Sequence, residues 1–228
     1  MSPSIAERLE AVRSRITRAE REAGRPEASV SLIAVSKTQP AAALREAILA
    51  GQRHFGENYL REALVKQADL DDVPGLIWHF IGPVQSNKTA AIAAHFDWVH
   101  SVDRLKIAQR LSEQRPEGLA PLNICLQVNV SDEMSKSGVR LADLPRLATQ
   151  VENLPRLRLR GLMAIPAPSH DPERQRVPFR ALRQAMASLD RAGLDTLSMG
   201  MSDDLEAAIE EGARFVRIGT AVFGPRSG

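Results

Sequence analysis

Short apolar runs alternate along the chain with stretches of helical periodicity. Ile5, Leu9, Val12, Ile16 and Ala19 recur every three or four positions, which predicts an amphipathic helix. Ser4 with Glu7 offers a capping box at its start, and Gly24 with Pro26 stops it. Leu32 to Val35 is apolar on both faces, as a parallel strand buried on both sides requires. A helix follows from Pro40, with Leu44, Ala47 and Ile48 on one face and Gly51 as its stop.

The same alternation continues to the C-terminal region. Strands are predicted at His54–Gly56, Ile77–Ile81, Trp98–Ser101, Leu122–Val130, Leu157–Met163, Thr196–Met199 and Phe215–Ile218. Helices are predicted between them, the longest from about Pro172 to Ala192 with Phe179, Leu182, Met186 and Leu189 on one face. Asp103 is the expected cap of the helix carrying Leu105, Ala108 and Leu111. About eight strand-then-helix units in 228 residues favour an α/β fold: a single closed (β/α)8 TIM barrel with an additional N-terminal helix. The expected organisation is one domain, residues 1–228, with residues 1–25 packing on the barrel as that helix.

Composition adds little to this picture. The chain is 43% hydrophobic and 25% charged, with a net charge of +2, so nothing calls for nucleic acid or a membrane as partner. No apolar run reaches the roughly 18 residues of a spanning helix, and no apolar signal-peptide core opens the chain. The single cysteine, Cys125, lies in an apolar run and reads as a core residue; a chain with one cysteine fits a reducing, cytoplasmic setting.

In a barrel of this class the chemistry sits at the C-terminal ends of the strands. Those ends carry Lys37, Glu57, Asn58, Ile81 with Gly82, Ser101, Asn129, Met163, Ser202 and Thr220. Lys37 is the one lysine placed to enter the barrel mouth, where partial desolvation makes an amine available as a nucleophile toward carbonyls. Its alternative is to snorkel to the surface as the strand emerges. The strand-end set holds no second carboxylate or histidine dyad, and His54, His79, His95, His100 and His170 form no short ligand pair with metal spacing. The last two loops read Gly200-Met201-Ser202 and Gly219-Thr220. They pair glycine backbone with hydroxyls in the region where barrels bind phosphate. Ser202 could instead cap the helix beginning at Leu205. Asp203 and Asp204 count against an anion unless they face away.

Several segments together resemble the YggS/PROSC family of pyridoxal 5′-phosphate (PLP) homeostasis proteins. They are Ala34-Val35-Ser36-Lys37, His54-Phe55-Gly56-Glu57-Asn58-Tyr59, Trp78 to Lys88, Ser135-Lys136-Ser137-Gly138, Arg160-Gly161-Leu162-Met163, Gly200 to Asp204 and Arg217-Ile218-Gly219-Thr220. The family is similar in fold to the N-terminal barrel of alanine racemase. The resemblance implies PLP as cofactor, held as a Schiff base on Lys37. It implies a phosphate held by Ser202, Gly219 and Thr220, and Arg217 facing the pyridine nitrogen. Asn58, Ile81 and Met163 would line the cofactor. It implies a cytoplasmic, non-catalytic carrier acting in vitamin B6 and amino-acid homeostasis, with apo PLP-dependent enzymes as recipients; the alternative is a weak single-domain PLP-dependent amino-acid racemase. A monomer is expected. Alanine racemases carry a second domain that supplies a catalytic tyrosine; the single tyrosine here, Tyr59, falls at a helix start, and no catalytic residue is assigned. Lys88 and Lys136 are candidates for secondary PLP sites.

Overall fold

The computed structural model describes residues 3–131 and 137–225. Among the described residues, nine strands and nine α-helices follow one another as α1 (Ile5–Glu22), β1 (Ser31–Val35), α2 (Ala41–Leu49), β2 (His54–Glu57), α3 (Leu60–Asp69), β3 (Ile77–Phe80), α4 (Thr89–His95), β4 (Trp98–Val102), α5 (Leu105–Gln114), β5 (Leu122–Asn129), β6 (Val139–Arg140), α6 (Leu144–Glu152), β7 (Leu157–Met163), α7 (Pro172–Leu189), β8 (Thr196–Ser198), α8 (Leu205–Glu210), β9 (Phe215–Ile218) and α9 (Thr220–Phe223). A 3-10 turn at Ser86–Lys88 precedes α4. Strands β4, β3, β2, β1, β9, β8, β7 and β5 are hydrogen-bonded in that order, and β4 pairs with β5 to close the ring. All these pairings are parallel, so the fold is a (β/α)8 barrel. The two-residue β6 pairs only with β5 outside the ring.

Strand alternation divides the chain into two cores. Leu32, Ala34, Phe55, Val99, Ile124, Leu126, Leu162, Val216 and Ile218 point outward into the layer between strands and helices. Ile33, Trp98, Cys125, Met163 and Phe215 point inward and pack together inside the barrel. Cys125 is fully buried there, and burial pushes its thiol up to about 12. The helix α1 carries the expected capping box between Ser4 and Glu7. It buries Leu9, Val12, Ile16 and Ala19, the first three worth about 1.5–3 kcal/mol each. Its polar flank reaches the barrel too. Arg13 donates to the Ala50 carbonyl, and Glu20 accepts from the Val30 amide.

One sequence expectation changes here, and one element is new. Asp103 does not cap α5: the cap residue is Arg104, without a side-chain bond to the helix, and Asp103 instead pairs with that arginine. The chain after Gly219 forms the short helix α9, where sequence gave no helical period. No helix among the described residues is long and apolar enough to cross a membrane.

Candidate functional site: a lysine-bearing cavity at the barrel mouth

A cavity of about 600 Å³ opens at the C-terminal ends of the strands, within the size range of small-molecule sites. It is lined by Lys37 after β1, Asn58 after β2, Ile81 after β3, Ser202 after β8, and Arg217, Gly219 and Thr220 at the end of β9. Seven of the eight residues expected to hold a cofactor thus share one space. The eighth, Met163, is fully buried among the inward-facing apolar residues and does not line it. Lys88 is exposed on the 3-10 turn and does not line the cavity, and Lys136 lies outside the described residues.

Lys37 is half-buried, and its ammonium has no hydrogen bond or ion pair among the described residues. What holds it is the turn on either side. The Ser36 hydroxyl donates to Glu57 Oε1 at 2.6 Å. The Ser36 carbonyl accepts from Lys66 Nζ at 2.6 Å, and Lys66 also donates to Glu57 at 2.8 Å and to Glu62. Thr38 has φ +66°, a left-handed conformation that costs a residue with a Cβ of the order of 1 kcal/mol. Its amide donates to Glu62, which holds it there. Glu57, Glu62 and Lys66 therefore fix the direction in which Lys37 leaves β1. Burial pushes the Glu57 carboxyl up, against the pull of Lys66 and Ser36.

Arg217 closes the floor of the cavity. Its Nη1 donates to Ser198 Oγ at 2.8 Å and its Nη2 to the Ala164 carbonyl at 2.9 Å. Burial lowers its guanidinium to about 10, with Asp204 acting in the other direction, so it stays a cation at neutral pH. Asp204 also accepts from the Met201 amide at 2.6 Å and is the cap residue of α8, so Ser202 is not that helix's cap. The Ser202 hydroxyl is left to the cavity. Gly200, at φ +93°, makes the turn from β8, and a Cβ there would meet Ala208 at 2.6 Å. Across the mouth Gly82 lies against Asn58; a Cβ on it would sit 2.3 Å from the Asn58 carbonyl oxygen. Asn58 Oδ1 is buried without a hydrogen-bond partner, an acceptor left for a ligand or water.

Sequence reasoning missed Arg15. It reaches over from α1 to line the cavity, donates to the Ser202 carbonyl at 3.0 Å and pairs with Glu206. It also missed Lys66 and Glu62. Their signal was present: a lysine on the buried face of α3, three residues after Ala63 and four after Glu62. A histidine cluster was missed as well, since the histidine spacing had been read only for metal ligands. His54, His79 and His100 hydrogen-bond to one another inside the barrel, because parallel pairing of β2, β3 and β4 places residues far apart in sequence side by side. No metal-holding cluster of His, Cys, Asp or Glu occurs among the described residues.

A closed barrel whose mouth cavity is lined by one lysine, a buried arginine and two hydroxyl side chains among the described residues defines a class of proteins, and comparison gives it a family. The profile of the alanine racemase N-terminal domain matches residues 8–227. The chain belongs to that family, in its pyridoxal phosphate homeostasis protein branch. It is 66% identical over 223 residues to the pyridoxal phosphate homeostasis protein of Pseudomonas aeruginosa, covering 98% of this chain and 96% of the relative. It is 55% identical to the protein of that name from Escherichia coli K12, covering 97% of each. PipY of Synechococcus elongatus PCC7942, solved with PLP bound, superposes with a TM-score of 0.85 at 43% identity, covering 97% of this chain and all of PipY. Alanine racemase of Corynebacterium glutamicum shares the fold at a TM-score of 0.67 and 17% identity, over 96% of this chain and 62% of that one.

Proposed function

We propose that this protein holds PLP in the mouth cavity as a Schiff base on Lys37 and acts in cytoplasmic PLP homeostasis as a carrier without robust catalysis. One observation carries the proposal: Lys37, Arg217, Ser202, Gly219 and Thr220, from the C-terminal ends of three separate strands, converge on a single cavity. The donor set fits the cofactor. Ser202 and Thr220 offer hydroxyls, and the first N–H groups of α9 have no intrahelical acceptor, which suits a phosphate beside Gly219. Arg15 adds a cation on the same side. Bound PLP supplies an aldehyde that condenses with amines and a ring that can accept electrons.

The chain's own residues restrain that chemistry. Arg217 is a pure donor that keeps its proton, so it favours a pyridine nitrogen without one and weakens the ring as an electron sink. Tyr59 does not line the cavity, so no tyrosine supplies a second base from this chain. Recipients of the cofactor are apo PLP-dependent enzymes, and the carrier works as a monomer.

Borohydride reduction followed by peptide mapping tests the proposal. The wild type is expected to carry one reduced pyridoxyl phosphate on Lys37, and Lys37→Ala to carry none at that stoichiometry while remaining folded. A wild-type protein that carries its adduct on another lysine and none on Lys37 would refute the assignment.

A further inference from the structure

Polar groups continue below Arg217 through the barrel interior. Ser198 Oγ lies 2.7 Å from His100 Nδ1. His100 Nε2 lies 2.9 Å from His79 Nδ1, and His79 Nε2 lies 2.9 Å from His54 Nδ1. Ser198, His79 and His100 are fully buried. His54 is half-buried and lines a second cavity of about 410 Å³, bordered by α1 and by the N-terminal ends of β1 and β2. The rings are clamped in place. Phe215 packs against all three at 5.3–5.9 Å between centroids, and Trp98 stacks on His79.

Hydrogen-bond chemistry gives this chain a direction. A guanidinium has donors only, so Ser198 Oγ must accept from Arg217. No third group lies within hydrogen-bonding reach of Ser198 Oγ among the described residues. Its O–H therefore points at His100 Nδ1; turned elsewhere it would be a buried donor without a partner. With Nδ1 accepting, the His100 proton sits on Nε2 and is donated to His79 Nδ1. The same logic puts the His79 proton on Nε2, facing His54 Nδ1, and leaves His54 Nε2–H for the second cavity. All three rings are then neutral. That agrees with burial, which holds all three below the usual histidine range and His100 at about 3.

We propose that Ser198, His100, His79 and His54 form a one-way hydrogen-bond chain across the barrel, anchored by Arg217, and that they are positioning residues for that arginine. With one nitrogen tied to Ser198 and another to Ala164, Arg217 is held as a donor toward the cavity. Only this last link, to the cofactor ring, rests on the PLP reading above.

Nitrogen-15 labelling of histidine, with two-bond proton–nitrogen correlations on the PLP-free protein, reads the direction without any cofactor. The expected result is the Nε2–H tautomer at His54, His79 and His100. An Nδ1–H tautomer at His79 or His100 in the wild type overturns the chain, and this measurement needs no variant to fold. In Ser198→Ala the direction is released and His100 and His79 should show mixed tautomers, with Ser198→Thr restoring the wild-type pattern; unchanged tautomers in Ser198→Ala overturn the proposal. With PLP added, Ser198→Ala should bind about tenfold more weakly and shift the absorption maximum of the bound chromophore, and Ser198→Thr should reverse both. Wild-type affinity and spectrum in Ser198→Ala would overturn the positioning role while leaving PLP binding intact. If the wild type bound no PLP, the function proposed above would fall, and the tautomers would still decide the chain.

Discussion

Glu57 and Glu211 are both lost to solvent, at 0% and 2% exposure, yet they are held in opposite ways. Both oxygens of Glu211 are served: Oε1 accepts from Arg176 and Arg180, and Oε2 from Arg183. Burial alone would push that carboxyl up, but the three arginines of α7 outweigh it and hold it below the usual range. Glu57 has one cation, Lys66, and the Ser36 hydroxyl, and both bond to Oε1; Oε2 has no partner. For Glu57 burial wins and the carboxyl is pushed up. The closed cluster ties α7 to α8, away from the cavity. The incomplete one lies under the turn that presents Lys37. A fully satisfied network fastens the fold, whereas the costlier arrangement is kept where it orients Lys37, the lysine proposed to hold PLP.

Lys66→Met should give the largest effect. It leaves Glu57 without its cation in a dry site, and removing one partner of a buried pair costs about 3–5 kcal/mol. It also releases the Ser36 carbonyl and loosens Glu62, which holds Thr38 in its left-handed conformation. Urea unfolding at neutral pH measures the loss. Under about 1 kcal/mol would show that Glu57 takes up a proton or reaches water, and the contrast with Glu211 would disappear.

Those two clusters also mark what sequence could and could not reveal. The order of strands and helices was legible because runs such as Leu32–Val35 are apolar at every position and Leu122–Asn129 is apolar at five of eight, as buried parallel strands require. The cavity-lining residues were legible from strand ends and from family motifs. Side chains that meet across the barrel were not. His54, His79 and His100 are separated by 25 and 21 residues, and Ser198 lies 98 beyond His100. Spacing rules for ligand pairs act within one element, so they are blind to neighbours created by sheet register. Arg15 was hidden for the same reason: its partner Glu206 is 191 residues away. Asp103 misled because a local capping rule was applied where the chain enters α5 one residue later.

Glu211→Gln should be the intermediate case and gives the comparison a sign. Hydrogen bonds to a charged group contribute about 1.5–3 kcal/mol, so a loss of that order is expected at neutral pH. A carboxyl held below its unfolded value near 4.5 contributes stability above that pH, and the contribution is lost as pH falls through the folded value. The stability curves of wild type and Glu211→Gln should therefore converge as the pH drops below about 4.5. Glu57 has the opposite linkage: its folded value is raised, so its proton favours the fold at low pH and that contribution fades as pH rises through the raised value. Glu57→Gln should consequently flatten the profile on the other side, with the difference from wild type growing in the variant's favour above pH 4.5. Parallel curves for the two variants would mean that the carboxylates are held alike.

Arg180→Ala should have the smallest effect. Arg180 is 41% exposed on its side chain, so its charge is largely solvated. After truncation Glu211 Oε1 keeps Arg176 and Oε2 keeps Arg183, leaving no buried oxygen without a donor. The expected loss is under about 1 kcal/mol, as for ion pairs with an exposed partner. A double-mutant cycle with Arg183→Ala sharpens this. The second truncation strips Oε2 and should cost more in the Arg180→Ala background than alone, because only Arg176 then remains against a buried charge. A loss above about 2 kcal/mol for Arg180→Ala alone would show that the three arginines act as one inseparable unit. Glu211 would then be no more tolerant of a missing partner than Glu57, and redundancy of donors would not be what separates the two sites.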